Sequence, residues 1–341
     1  ALARRRLGGD APAAAFALLY LLSPTLHGIN LRDFHIAAFA VPLLLASVYC
    51  FETNRMGWFL LTVLLTLGCR EDAALAVIGL GLWVALARRR WILGCGLAAG
   101  SLALLFFDVH VLMPYFRAGA YPHLQRYAHL GGSLGEILLS MLSHPLRTLG
   151  FMFSARKLLY LLALLAPLGF LPLLAPRDLL PALPALAHNL VSQDPILFSY
   201  RAQYNSFVLP FLVLAAVSGY ARLSPRLALK GRSIRGLGLC LAFLLSLALT
   251  SRTLNDLAFH RWWLTGRQRA AYTVLAEVPS GASVSAWDRF VPHLSLRRKV
   301  FVFPVGIEQS DCVVVDGTAL PSPRHLPDLR LARQGKEMTL S

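Results

Sequence analysis

Charge is scarce in this sequence, and negative charge most of all: 17 Asp and Glu stand against 33 Lys and Arg, and only 15% of the 341 residues are charged. A soluble chain carries about a quarter charged residues. With 56% hydrophobic residues and a mean hydropathy of +0.58, the apolar excess is more than a core of this size takes out of water. A soluble globular domain is excluded, and lipid becomes the solvent to reason with. Lysine is nearly missing, with only Lys157, Lys230, Lys299 and Lys336. The arginines that make up the remaining positive charge sit between apolar blocks, the positive-inside pattern of a membrane protein and not a nucleic-acid footprint. Cysteine is sparse and odd in number (Cys50, Cys69, Cys95, Cys240, Cys312), with no C-x-x-C spacing, so neither a disulfide framework nor a zinc site is indicated. G-x-x-x-x-G-K-[ST] and H-E-x-x-H are lacking, which removes phosphate-loop and zincin chemistries. Arg4-Arg5-Arg6 precedes a mildly apolar run with no A-x-A cleavage pattern directly after it, which reads as the interior of a longer protein and not as a signal peptide.

Apolar runs are what the chain has in abundance. They fall at about 11–26, 36–51, 57–69, 73–87, 91–107, 158–175, 178–191, 206–221 and 237–250. Most are shorter than the roughly 20 residues that cross a hydrocarbon core, but flanking Tyr49, Trp58, Trp83, Trp91 and Tyr220 supply interfacial anchors. One helix over 57–87 would bury Arg70, Glu71 and Asp72 near mid-membrane, at about 2.5 to 3.5 kcal/mol for a central Asp or Arg, so a break at 70–72 is expected. Gly94, Gly96 and Gly100 read as small-residue helix contacts. The fold expected is an all-α polytopic membrane domain of about nine transmembrane helices over 1–250, with a polar external loop at about 108–157. A small α/β extracytoplasmic domain over 251–320 follows, with strands near 283–286, 300–303 and 312–315, and then a flexible tail over 321–341.

Placing the N-terminus in the cytoplasm puts Arg4 to Arg6, Arg55, Arg88 to Arg90, Arg177, Arg222, Arg226, Lys230, Arg232 and Arg235 inside, with Glu52 and Asp178 as the few acids there. The C-terminus is then extracytoplasmic. The external helix ends collect Arg32, Asp33, His35, Arg70, Glu71, Asp72, Asp108, His110, Asp194, Tyr200, Arg201 and Tyr204. Carboxylates at that depth ligate a divalent cation or act as a general base, and Arg and His grip phosphate. Asp33, Glu71 and Asp72 are the catalytic candidates; Arg32, His35, Arg70, Asp108, His110, Tyr200, Arg201 and Tyr204 are the substrate-binding ones. Each has a structural alternative. Arg32 with Asp33 makes a boundary ion pair, Asp72 caps the following helix, Asp108 and His110 are solvated at a helix exit before Pro114, and Tyr200, Arg201 and Tyr204 form an aromatic belt with a snorkelling Arg.

The runs Leu21-Leu22-Ser23-Pro24, Asn30-Leu31-Arg32-Asp33-Phe34-His35, Arg70-Glu71-Asp72-Ala73-Ala74-Leu75, Tyr200-Arg201-Ala202-Gln203-Tyr204, Val291-Pro292-His293-Leu294-Ser295 and Phe301-Val302-Phe303-Pro304 resemble a family of polytopic prokaryotic membrane proteins. That family is catalogued as a domain of unknown function and is similar to the GT-C glycosyltransferases. The resemblance implies an extracytoplasmic active face in the cell membrane and transfer of a sugar from a polyprenyl-phosphate donor, with an acidic residue of the first external loop as base or metal contact. It further implies an acidic motif upstream of Ala1. A transporter or flippase for a lipid-linked or hydrophobic solute, and a membrane scaffold without catalysis, are the expectations from other classes.

Overall fold

A computed structural model describes residues 1–31, 35–117, 123–228, 232–255 and 262–316. The chain divides into two compact units, one covering Ala1–Leu254 and a second beginning at Asn255.

The first unit is helical. Asp10–Leu21, Pro24–Leu31, Ala40–Glu52, Met56–Leu67, Ala73–Leu82, Trp91–Phe107, Ala155–Leu165, Leu183–Val191, Leu209–Ala228 and Arg232–Asn255 are its longer helices or longer parts of broken ones. Phe16, Leu19, Ile29, Leu44, Phe59 and Trp83 meet in one apolar core with Phe207, Phe211 and Leu214. Many large apolar side chains face outward instead: Trp58, Leu61, Leu64 and Leu65 on one helix, Ile92, Leu102 and Phe106 on another. Outward apolar stripes on two such helices belong against lipid and not water.

Among the described residues, one helix is long and apolar enough to cross a membrane: Trp91–Phe116, 26 residues. Two bent pairs bring the number to three if each is one span, Asp10–Leu21 with Pro24–Leu31 (47°) and Pro145–Met152 with Ala155–Leu168 (58°). Ile36–Glu52, Met56–Leu67, Ala73–Ala87, Leu209–Leu223 and Leu241–Ser251 are apolar but shorter. The described helices thus do not confirm the about nine transmembrane helices expected, and over 158–191 proline is the reason. Pro167, Pro172, Pro176, Pro181 and Pro184 cut 158–191 into short α and 3₁₀ pieces, because each removes a backbone donor and clashes with the preceding turn.

The stretch 91–117 departs from expectation in the other direction. The run expected to leave the membrane near 107 continues as a π-helical turn, Asp108–Leu112, and then as Met113–Arg117. The wider π turn lies immediately ahead of Pro114, where a regular helix would meet the proline ring. Small residues set the packing of the neighbouring helix pair: a Cβ added at Gly94 would collide with the backbone at Gly81 and Ala85, whereas Gly96 and Gly100 meet nothing.

The second unit has the helix Gly266–Glu277, opened by a capping box between Thr265 and Gln268. Three short parallel strands follow, β1 (Val284–Ala286), β2 (Val300–Val302) and β3 (Cys312–Val314), in the order β2-β1-β3. Val284, Ala286, Leu294 and Val314 form its small core with Val278. The expected strands agree with these to within a residue at each end. The tail expected over 321–341 lies outside the described residues.

Candidate functional site

The break after Leu67 builds the first part of the site. Arg70, Glu71 and Asp72 turn the chain from Met56–Leu67 into Ala73–Leu82. Asp72 stands at the N-cap position, yet its side chain makes no capping hydrogen bond. It takes a two-pronged ion pair from Arg70 instead, Nε to Oδ1 at 2.7 Å and Nη2 to Oδ2. Burial raises the Asp72 carboxyl against the pull of Arg70. Burial also works against the Arg70 charge, but the Asp72 carboxylate outweighs it and the guanidinium lies above its ordinary value. Glu71 is held more loosely, with Oε2 3.9 Å from Arg70 Nε. Asp108 and His188 both lie within electrostatic reach of Glu71.

Two distant segments complete it. Arg126, in the 3₁₀ turn Leu124–Tyr127, pairs with Asp194 at 3.1 Å. The segments are tied together by Gln193 N–H donating to the Arg126 carbonyl at 2.9 Å and Gln193 Nε2 donating to the Gln125 carbonyl at 2.7 Å. Tyr204 is buried in the 3₁₀ turn Gln203–Phe207, and its ring centre lies 4.5 Å from the Arg70 guanidinium carbon and 5.2 Å from that of Arg126. One aromatic ring therefore serves two cations.

A buried amide network fixes that ring. Tyr160 Oη donates to Asn205 Oδ1 at 2.7 Å, and Asn189 Nδ2 donates to Tyr160 Oη at 3.1 Å. Asn205 Nδ2 in turn donates to the carbonyls of Ser199 (2.7 Å) and Ala202 (2.9 Å). With its polar groups paired, such a network holds a turn rigid at little desolvation cost. Nearby, Lys157 is buried, donates to the Leu190 carbonyl at 2.5 Å and sits 3.4 Å from the Phe151 ring centre.

Arg70, Glu71, Asp72 and Tyr204 thus come together among the expected residues, with Asp108 within electrostatic reach of Glu71. Others stand apart. His110 bonds the Phe106 carbonyl at 3.1 Å and stacks on that ring. His35 lines a different cleft of about 410 Å³ with Tyr20 and Asn30. Tyr200 packs on the main core. The Arg201 backbone lies so close to Gly28 that a Cβ there would collide with it. Arg32 and Asp33 lie outside the described residues. His188, Asn189, Asn205 and Lys157 escaped the sequence reading; a histidine and an amide inside the apolar run 178–191 and an amide just ahead of the run 206–221 were the signal for the first three. Among the described residues, no three His, Cys, Asp or Glu side chains gather to hold a metal ion, and Asp72 is committed to Arg70.

The opposite end of the same helix carries a second polar group. Arg6 and Arg88 both reach Glu52, at 2.5 and 2.7 Å. Arg6 also reaches Asp178 (3.5 Å), whose other oxygen accepts from Trp83 Nε1 at 3.0 Å. Sixteen residues of mostly helical chain separate Asp72 from Arg88, a rise of about 24 Å, a little less than the hydrocarbon thickness of a bilayer.

No curated protein and no solved structure matches this chain. A family model described as predicted membrane protein (DUF2079) matches residues 1–326, and the chain belongs to that family of membrane proteins.

Proposed function

We propose that the protein is a multi-pass enzyme of the cell membrane that moves a sugar from a polyprenyl-phosphate donor to an acceptor hydroxyl, in the manner of a GT-C glycosyltransferase, at the Arg70 end of its helical unit. The observation that carries this reading is the joining of a loosely held carboxylate, Glu71, to two guanidiniums around one buried tyrosine ring. The topology that goes with it has nine membrane crossings, short ones included, with the N-terminal arginines cytoplasmic and the Arg70 end extracytoplasmic.

In this reading Arg70 and Arg126 take the donor phosphate, since guanidinium matches phosphate oxygens two at a time. The acceptor hydroxyl oxygen attacks the anomeric carbon, the carbon–oxygen bond to phosphate breaks, and the phosphate leaves with the electron pair. Glu71 receives the hydroxyl proton. Asp72 holds Arg70 in place and is a positioning residue. Leu138, Leu142 and Leu146, exposed on the short helices Leu134–Ser143 and Pro145–Met152, offer an apolar approach for the prenyl chain.

Donor capture tests the reading. In nanodiscs, Arg126→Gln should raise the concentration of polyprenyl-phosphate sugar needed for half-maximal transfer by tenfold or more, while Arg55→Gln leaves it unchanged. Equal donor dependence in both variants sinks the assignment.

A second reading draws on a different observation. The two bent helix pairs and the buried Lys157 beside one bend are features that transporters of lipid-linked solutes share. A cysteine placed at 71 in a background lacking the native cysteines separates the two. Labelling from both membrane sides favours transport, and labelling from one side favours the enzyme.

A further inference from the structure

The arginines at the Arg88 end read, in sequence, as a topology signal alone. In the fold they line one cleft of about 640 Å³, whose walls come from five stretches: Arg5 and Arg6, Glu52 and Asn54, Arg88 and Arg90, Asp178, and Ser218 to Arg222. Five guanidiniums face two carboxylates there, a formal excess of three positive charges. Both carboxylates are already engaged, Glu52 by Arg6 and Arg88, and Asp178 by Arg6 and Trp83.

The other three arginines are matched only by neutral acceptors. Arg5 donates to the Glu52 carbonyl at 2.9 Å, Arg90 to Asn54 Oδ1 at 3.4 Å, and Arg222 to the Leu174 carbonyl at 3.0 Å. Among the described residues no carboxylate pairs with any of them. Three uncompensated guanidiniums around a cavity large enough for a small ligand make a site for an oxyanion with several oxygens, because each fork takes two acceptors at once. Arginine, with its fixed planar fork and weak hydration, is the side chain suited to phosphate. Arg88 lies over the Trp83 ring at 4.5 Å and Arg90 lies 5.5 Å from the Phe51 ring centre, so two of the forks are held against aromatic rings ahead of any ligand.

We propose that this cleft binds a phosphate group, either on an anionic phospholipid headgroup or free. The proposal is independent of the glycosyl-transfer reading, since it uses none of the residues at the Arg70 end. Bound phosphate bridges segments from both ends of the first unit's sequence, from Arg5 to Arg222, and so braces the helix ends that meet there.

The test uses the full chain in nanodiscs of neutral phosphatidylcholine, titrated separately with short-chain phosphatidic acid and with inorganic phosphate. Binding is read by the fluorescence of Trp83 and by thermal shift. Saturable binding of the phospholipid alone assigns the site to a headgroup, and equal binding of inorganic phosphate assigns it to the free ion. Arg90→Gln with Arg222→Gln should weaken either ligand at least tenfold, whereas Arg55→Gln, a change to an exposed arginine outside the cleft, should not. The pair Arg90→Lys and Arg222→Lys keeps the charge and should recover only part of the affinity. Absence of binding by both ligands overturns the proposal. So does binding that the glutamine pair leaves intact while circular dichroism shows an unchanged fold, and so does equal weakening by Arg55→Gln.

Discussion

Replacing Glu52 by Gln removes one charge from a buried cluster in which Glu52 pairs with Arg6 and Arg88 and Arg6 also reaches Asp178. The Glu52 side chain is 9% exposed, as against 11% for Arg6 and 38% for Arg88. At a charge separation of about 4 Å, each pair is worth about 4 kcal/mol gross if the effective dielectric is about 20. Solvent reaches Arg88, so its pair counts for much less, about 0 to 1 kcal/mol as at a surface. Arg6 is different: losing a partner from a buried pair costs about 3 to 5 kcal/mol, because a charge is left out of water. Asp178 and Ser218 remain beside Arg6, and glutamine retains one acceptor oxygen, which puts the expected loss near the lower end, about 3 kcal/mol. Equilibrium unfolding in mixed micelles measures it, with Trp83, buried against Asp178, as the fluorescent reporter. Glu52→Gln should lower stability by about 3 kcal/mol, and Glu52→Gln with Arg6→Gln by less than the sum of the single changes. A loss under about 1 kcal/mol would refute the reasoning and make the cluster an ordinary surface network.

Two further outcomes follow from packing and titration. Gly94→Leu should cost about 1 to 3 kcal/mol by forcing the helix pair apart, whereas Gly96→Leu, facing open space, should stay within about 0.5 kcal/mol; the same micelle unfolding compares them. His129 lies tilted against the Phe151 ring, centroids 4.1 Å apart, with both ring nitrogens buried and unbonded, and burial, with the charges of Lys157 and Arg147, lowers its pKa below 6.5. A depressed folded-state pKa means stability that is present above the unfolded value near 6.5 and is lost as pH falls through the folded one. Protection factors for amide exchange over 124–152, taken relative to the intrinsic rate at each pH, should therefore fall between pH 7 and pH 5, and His129→Phe should flatten that dependence.

Much of the architecture can be read from hydropathy because hydropathy reports the solvent. The break at Arg70, Glu71 and Asp72 is legible, since three ionisable residues in a row are costly at mid-membrane. The strands of the second unit are legible as β-branched runs between turn residues. Pairing is not legible in this way. Arg126 and Asp194 stand 68 residues apart and Glu52 binds arginines 46 residues before it and 36 after it, and no local periodicity encodes such meetings. Pro114 misleads for a related reason: it signals a helix exit only if the turn before it is α-helical, and here that turn is π-helical. The arginines of the second cleft are visible in the sequence as positive charge, but their convergence on a common cavity arises only when five segments pack.

The central claim is that Glu71 acts as the base for sugar transfer while Asp72 only holds Arg70. Release of polyprenyl phosphate from a labelled donor, measured in nanodiscs beside donor binding, tests it most directly. Glu71→Gln should abolish release with donor binding retained, and Asp72→Asn should weaken donor binding while leaving slow release. Release by Glu71→Gln at the unmodified rate, or none from the unmodified protein with any polyprenyl-phosphate sugar, would contradict the account.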